Sequence, residues 1–327
     1  MKVDARAPQP ARSRRLPSHA WAGLALLVLS EAAMLAHVEP FWTWHTPFAW
    51  TGYVLLIDGV VFRLRGSSWM KTNGREFVFL AMVSIPLWVV FEGYNLLIEN
   101  WHYINLPENL FVRYFGYAWA FATISPGIFQ TAELVAAVRS SRAASQARTD
   151  DYRPSTHDHR PSTIDYRPST IDHRLSTNDH RLSTTEYLCI AAGAAMLAWP
   201  LLWPSPYLAA PVFLGFIFLL DPLNAHAGDE SLLGDLRAGR RDRLVNLLAA
   251  GFICGGLWEF WNFWARAKWI YTVPIFGDIK IFEMPVLGYF GFPPFALECF
   301  TMYVFVRRLA WRGPKRPIGL DPSMAPR

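Results

Sequence analysis

Eight long apolar runs, arranged as two matching sets of four, constrain this chain more than any other feature. They fall at about 20–38, 47–64, 77–98 and 115–138, then at 187–204, 206–222, 244–265 and 284–306. Each can be extended to the roughly 20 residues that cross a bilayer as a helix. Hydrocarbon offers the backbone no hydrogen-bond partners, so such runs satisfy their own amides as helices. Apolar residues at 52% and charged residues at 17% fit the same reading. The predicted fold is an all-α integral membrane protein with eight transmembrane helices.

The two sets resemble each other residue by residue. Glu31-Ala-Ala-Met-Leu-Ala-His37 returns as Gly193-Ala-Ala-Met-Leu-Ala-Trp199, and Gly52-Tyr-Val-Leu-Leu-Ile-Asp58 as Gly215-Phe-Ile-Phe-Leu-Leu-Asp221. Phe91-Glu92-Gly-Tyr-Asn95 returns as Trp258-Glu259-Phe-Trp-Asn262, and each is followed by a Trp-x-Tyr, at Trp101–Tyr103 and Trp269–Tyr271. Four helices bring the chain back to the side it left, so the second copy inserts in the orientation of the first. This predicts two parallel four-helix repeats about an axis along the membrane normal, with any binding site at their seam. The expected divisions are a basic tail (1–19), the first repeat (20–138), a linker (139–186), the second repeat (187–306) and a second basic tail (307–327).

A net charge of +5 raises the question of nucleic acid, but the placement of the cations answers it. With the N-terminus cytoplasmic, the inside segments carry 27 of the 31 Lys and Arg; the outside loops carry only Arg113, Arg266, Lys268 and Lys280. That is the positive-inside pattern, so both termini are expected in the cytoplasm of a cell with this protein in its inner membrane, and no nucleic-acid partner is implied. Arg12, Arg14 and Arg15 precede the first run like a signal-peptide n-region, but the run has a partner at 187–204 and is expected to stay as a helix. Five heptads of the form Asp-(Tyr/His)-Arg-(Pro/Leu)-Ser-Thr-x begin at Asp151. They lack a coiled-coil seam and read as a disordered linker whose His157, His159, His173 and His180 are products of tandem duplication. Cys189, Cys254 and Cys299 lie in apolar runs without metal-like spacing.

An acid within a membrane span is costly and is a functional-site hypothesis by default. Glu92 with Asn95, and Glu259 with Asn262, lie three residues apart and share a helix face. Asp58 and Asp221 sit in the second helix of each half, where Asp221 before Pro222 equally suits the end of a span. Glu133 and Glu298 follow Pro126 and Pro293, which predicts a fourth helix that breaks and restarts at proline, lining a cavity. Trp88, Trp258 and Trp261 lie near the acids, while Trp269 and Tyr271 suit an interfacial aromatic belt. A carboxyl in apolar surroundings can hold and donate a proton, and aromatic faces stabilise a cation. These properties serve proton-initiated carbocation chemistry on an isoprenoid. They also serve a proton- or cation-coupled transporter or channel, and interhelical polar contacts can simply lock the packing of a non-catalytic membrane subunit. No diphosphate-binding Asp pair, Walker loop, His box or dinucleotide fingerprint is present, and no metal or cofactor is implied.

An acid beside tryptophan, then Trp-x-Tyr, then Gly-x-Pro followed by a glutamate and aromatics, in tandem copies, resembles the integral-membrane lycopene cyclase domain family. The matching residues are Trp258-Glu259, Trp269–Tyr271 and Gly291-Phe-Pro293 through Glu298-Cys-Phe300; the weaker set is Glu92, Trp101–Tyr103 and Pro126 through Glu133. The family has three helices per copy and adjacent acids in its Pro-x-Glu-Glu signature, whereas this chain has four helices and single glutamates. The resemblance implies an apolar isoprenoid or carotenoid substrate that is protonated and cyclised or isomerised without redox turnover. On this expectation Glu259 and Glu298 are proton donor and partner, Glu92 and Glu133 are their counterparts, and Trp88, Trp258 and Trp261 are the cation-stabilising wall. Asn95, Asn262, Asp58 and Asp221 complete the expected substrate-binding set.

Overall fold

The computed structural model describes residues 15–151 and 181–320. Residues 152–180 of the heptad series, including its four histidines, lie outside the described residues, as do the ends of both basic tails. Among the described residues, eight helical spans are long and apolar enough to cross a membrane, making this a multi-pass all-α membrane protein.

In chain order the elements are α1 (Ser18–Leu35), α2 (His45–Arg65), α3 (Trp69–Thr72), α4 (Gly74–Ile98), β1 (Trp101–Ile104), α5 (Leu110–Ala122) and α6 (Ile124–Asp151). They continue with α7 (Thr184–Leu202), a 3-10 turn at Pro206–Leu208, α8 (Ala209–His226), α9 (Leu232–Arg237), α10 (Asp242–Trp264), β2 (Lys268–Tyr271), β3 (Lys280–Ile281) and β4 (Met284–Pro285). A 3-10 segment at Val286–Gly291 leads into α11 (Phe292–Ala310). The fourth span of each half is broken, as expected. One break lies at Thr123, with Pro126 in the first turn of α6; the other lies at Phe292, with Pro293 and Pro294 opening α11. Proline suits a first helical turn because its missing amide has no partner there anyway.

Close helical hairpins form the flanks. A Cβ on Gly23 of α1 would meet the Gly52 carbonyl of α2 at 2.6 Å, and one on Gly193 of α7 would meet that of Gly215 in α8 at 2.7 Å. Small residues let backbones approach where lipid removes the hydrophobic drive to associate. Between the flanks, α2, α4, α6, α10 and α11 bury a common core that includes Trp50, Phe91, Ile128, Phe129, Leu247, Cys254 and Phe300.

The halves are joined at both ends of the bundle. On one side β1 and β2 pair antiparallel, with Trp101 opposite Tyr271 and Tyr103 opposite Trp269. At the opposite end of the bundle the segment after α11 folds back into it. Ile318 and Leu320 are buried there, Asn246 donates to the Gly319 carbonyl at 2.8 Å, and the Arg316 guanidinium holds Glu133 with two bonds of 2.6 and 2.8 Å. Arg307 pairs with Glu76 (3.1 Å) and Glu230 (2.5 Å), and Glu230 also pairs with Arg243. These buried charges compensate one another.

Candidate functional site

The duplicated Glu-x-x-Asn and Trp-x-Tyr segments form one structural unit in each half. Asn95 donates to the Trp101 carbonyl (2.7 Å), and its own carbonyl accepts from the amides of Asn100 (2.9 Å) and Trp101 (3.2 Å). Asn262 does the same for Trp269, donating to its carbonyl at 2.7 Å and accepting from its amide at 3.0 Å. Each amide side chain thus imitates a neighbouring strand and fixes the first tryptophan of the motif. The asparagines position the strand and do not line the cavity.

The alternation of a strand then puts Trp and Tyr of each motif on one face, above the glutamate one helical turn back. Oε1 of Glu92 accepts from Tyr103 (2.5 Å), from the Trp88 indole (2.7 Å) and from the Trp101 indole at 3.4 Å. Oε1 of Glu259 accepts from Tyr271 at 2.8 Å, and the Trp269 indole donates to the Tyr271 oxygen at 2.8 Å. Burial pushes the Tyr271 and Tyr103 phenols well above their usual value, and the neighbouring carboxylates add to it, so both remain hydroxyl donors.

Beneath this two-stranded roof lies a cavity of about 500 Å³, within the size range of small-molecule sites. Trp101, Tyr103, Trp269 and Tyr271 line its roof; Trp50, Trp88, Phe213, Trp258 and Phe295 line its walls and floor. Phe295 stands edge-on to Trp88 at 5.5 Å and tilted to Trp258 at 5.9 Å, so one aromatic surface runs from the first half to the second. None of the four glutamates lines the space. Glu92 and Glu259 lie one side chain behind it, each connected to it by a tyrosine hydroxyl.

The structure brings together only part of the expected set. Trp88 and Trp258 line the cavity, whereas Trp261 is directed to α1, where its indole donates to Glu31 at 2.8 Å. Glu133 is at the opposite end of the bundle, bound to Arg316, because the tail supplies a guanidinium there. Glu298 is fully buried between α11 and α8; its Oε1 accepts from the Phe216 amide at 3.2 Å, away from the cavity lining. Asp58 accepts from the Met70 amide (2.9 Å), Ser68 (2.8 Å) and His19 (3.0 Å), and Asp221 from the amides of Leu232 (2.8 Å) and Leu233 (2.7 Å). Both aspartates therefore cap the short helices α3 and α9, whose first amides have no intrahelical acceptor. The expected meeting of four glutamates at one cavity is replaced by two glutamate–tyrosine pairs.

Sequence reasoning placed Trp269 and Tyr271 in an interfacial belt. The signal for their actual role was the recurrence of Trp-x-Tyr behind each Glu-x-x-Asn, since period-2 spacing puts both rings on one strand face. A second polar group, with His45 bonded to Ser30 (3.1 Å) and 3.6 Å from Glu31, went unrecognised because only the first half carries it. Among the described residues, no cluster of His, Cys, Asp and Glu could hold a metal ion. Compared with known proteins, the chain matches no family model, and it has no significant match among curated proteins or solved structures.

Proposed function

We propose that this protein is a non-redox enzyme of the inner membrane that protonates an apolar isoprenoid or carotenoid and lets it cyclise or isomerise, in the manner of the lycopene cyclases it resembles. In this reading the halves are parallel four-helix repeats with both chain ends in the cytoplasm, and the paired Trp-x-Tyr strands mark the local twofold between them. One observation carries the proposal. An aromatic cavity at the seam is bordered by Tyr103 and Tyr271, whose hydroxyls are bonded to the membrane-buried carboxyls of Glu92 and Glu259.

The chemistry balances with these groups alone. With Glu259 in its acid form the Tyr271–Glu259 hydrogen bond reverses: Glu259 donates its proton to the Tyr271 oxygen as the Tyr271 hydroxyl turns to the cavity and gives its own to a terminal alkene carbon of the substrate. The π electrons of that bond form the new C–H bond, and the adjacent carbon becomes a cation. A second alkene attacks the cation and closes a ring. The faces of Trp88 and Trp258 stabilise the positive charge, an effect worth about 2 kcal/mol for a desolvated pair. Loss of a neighbouring proton through Tyr103 to Glu92 restores the alkene, so the product is an isomer of the substrate. Exchange of protons between each acid and solvent, releasing the one taken up by Glu92 and restoring one to Glu259, resets the site.

A cation-coupled transporter would need its acids on a continuous polar path, whereas here an aromatic wall separates both carboxyls from the cavity. A purely structural role for the acids accounts for the hydrogen bonds of Glu92 and Glu259 but not for the cavity beside them. The test is expression in a lycopene-accumulating bacterium. The reading predicts conversion of the pigment to cyclic or isomerised products, abolished by Glu259→Gln; unchanged lycopene with the wild-type chain removes the carotenoid form of the proposal.

A further inference from the structure

Along the 3-10 segment the wall of the cavity is also the surface of the protein. Leu287, Phe290 and Gly291 of the 3-10 segment line the cavity and are exposed, Phe290 at 65%. The Phe290 ring stands edge-on to Phe252 at 6.3 Å. Phe252 lies halfway along the 23-residue helix α10 and is itself 49% exposed, beside exposed Ile253. The middle of a membrane helix of that length lies deep in the hydrocarbon, far from either layer of water. The exposed side of this wall is therefore expected to face acyl chains.

The two halves differ here in a way that makes this exposed wall one-sided. The first half closes its side with α5, a regular helix of 13 residues whose Asn109 cap accepts from the Val112 amide at 3.1 Å. The second half has only the six-residue 3-10 segment in the corresponding place. Such segments have poorer hydrogen-bond geometry than an α-helix, and irregular backbone at this depth is tolerated where it lines a cavity. At Gly291 a Cβ would meet no atom within 4 Å, so the backbone leaves open space where it bends into α11.

We propose that the cavity is filled sideways, from the hydrocarbon of the bilayer, past the 3-10 segment where Phe290 meets Phe252 of α10. Its ligand is then an apolar molecule dissolved among the acyl chains. A long isoprenoid can place one end under the Trp-x-Tyr roof while the remainder stays in the lipid. The inference rests on the reading of this cavity as a ligand site, but not on any reaction taking place there.

The experiment uses the full chain in phospholipid vesicles containing a small photoactivatable hydrocarbon diazirine, with peptide mass spectrometry locating the label. Wild-type protein should be labelled at Trp88, Trp258 and Phe295 as well as at the lipid-facing Leu96. In the double variant Phe252→Cys/Phe290→Cys, a short cleavable bis-thiosulfonate bridge should lower cavity labelling several-fold, leave Leu96 unchanged, and be reversed by reductant. Reversal shows that the fold is intact. Gly291→Trp, which adds a ring in open space, should lower cavity labelling without a bridge. Absence of label in the wild-type cavity overturns the proposal, as does cavity labelling that survives the bridge or comes only from a water-soluble reagent. Because labelling is read without turnover, a protein that cyclises no polyene yet shows this pattern leaves the lateral route standing.

Discussion

Tyr103 lies directly opposite Trp269 in a two-stranded sheet whose strands come from different halves of the chain. The same pairing sets Trp101 opposite Tyr271, so the roof of the cavity is assembled only when the halves meet. Each tyrosine carries its hydroxyl back to the glutamate of its own half, at 2.5 Å for Glu92 and 2.8 Å for Glu259. The sheet thereby couples assembly of the bundle to assembly of the site.

The asparagines should matter for stability and geometry rather than for binding. Asn262→Ala removes two hydrogen bonds to the Trp269 backbone. At roughly 1 kcal/mol net for each, with an added cost if those groups stay buried and unpaired, a loss of about 2–3 kcal/mol is expected. Thermal unfolding in detergent measures it, and Asn262→Asp, which keeps the acceptor oxygen, should fall between the two.

The tail after α11 should act as a latch. Arg316→Ala leaves Glu133 buried without its guanidinium partner, which predicts a loss of about 3–5 kcal/mol. The double variant Arg316→Met/Glu133→Leu should recover most of that loss, because an apolar pair of similar bulk has no charge to desolvate. Denaturant midpoints of the three proteins check this. A double variant no better than the single one would show that the segment is held by other contacts.

Acid should loosen the end of the bundle where the segment after α11 folds back. Burial alone would raise the Glu230 carboxyl, but the guanidinium groups of Arg243 and Arg307 outweigh it and hold the carboxyl below the ordinary range. The unfolded chain returns it to about 4.3, so the ionised form favours folding above that value, and the contribution fades as pH falls through the lower folded value. Wild-type stability should therefore decline between about pH 5 and pH 3, and Glu230→Gln should be less stable at neutral pH with a flatter decline. Unfolding midpoints across that range measure both effects.

Much of the architecture was legible because it follows from local rules. Lipid-length apolar runs located all eight spans, and Pro126 and Pro293 marked the breaks in the fourth span of each half. The site was less legible because its contacts are distant in sequence. The partner of Glu133 is Arg316, 183 residues away in a tail whose charge had been attributed to topology. Asp58 reads as part of a substrate-binding set, yet α2 ends so close to α3 that the carboxylate serves the Met70 amide. Trp269 and Tyr271 had the composition of a membrane belt, and only the pairing of β1 with β2 makes them a roof.

The most direct test of the central claim is the fate of a solvent proton. Purified protein in lipid would be given lycopene in D2O and the products analysed by mass spectrometry. Proton-initiated cyclisation at the Glu259–Tyr271 pair predicts cyclic isomers carrying one deuterium for each ring closed, with Glu259→Gln forming none. Cyclic product without deuterium, or equal conversion by Glu259→Gln, would contradict the account.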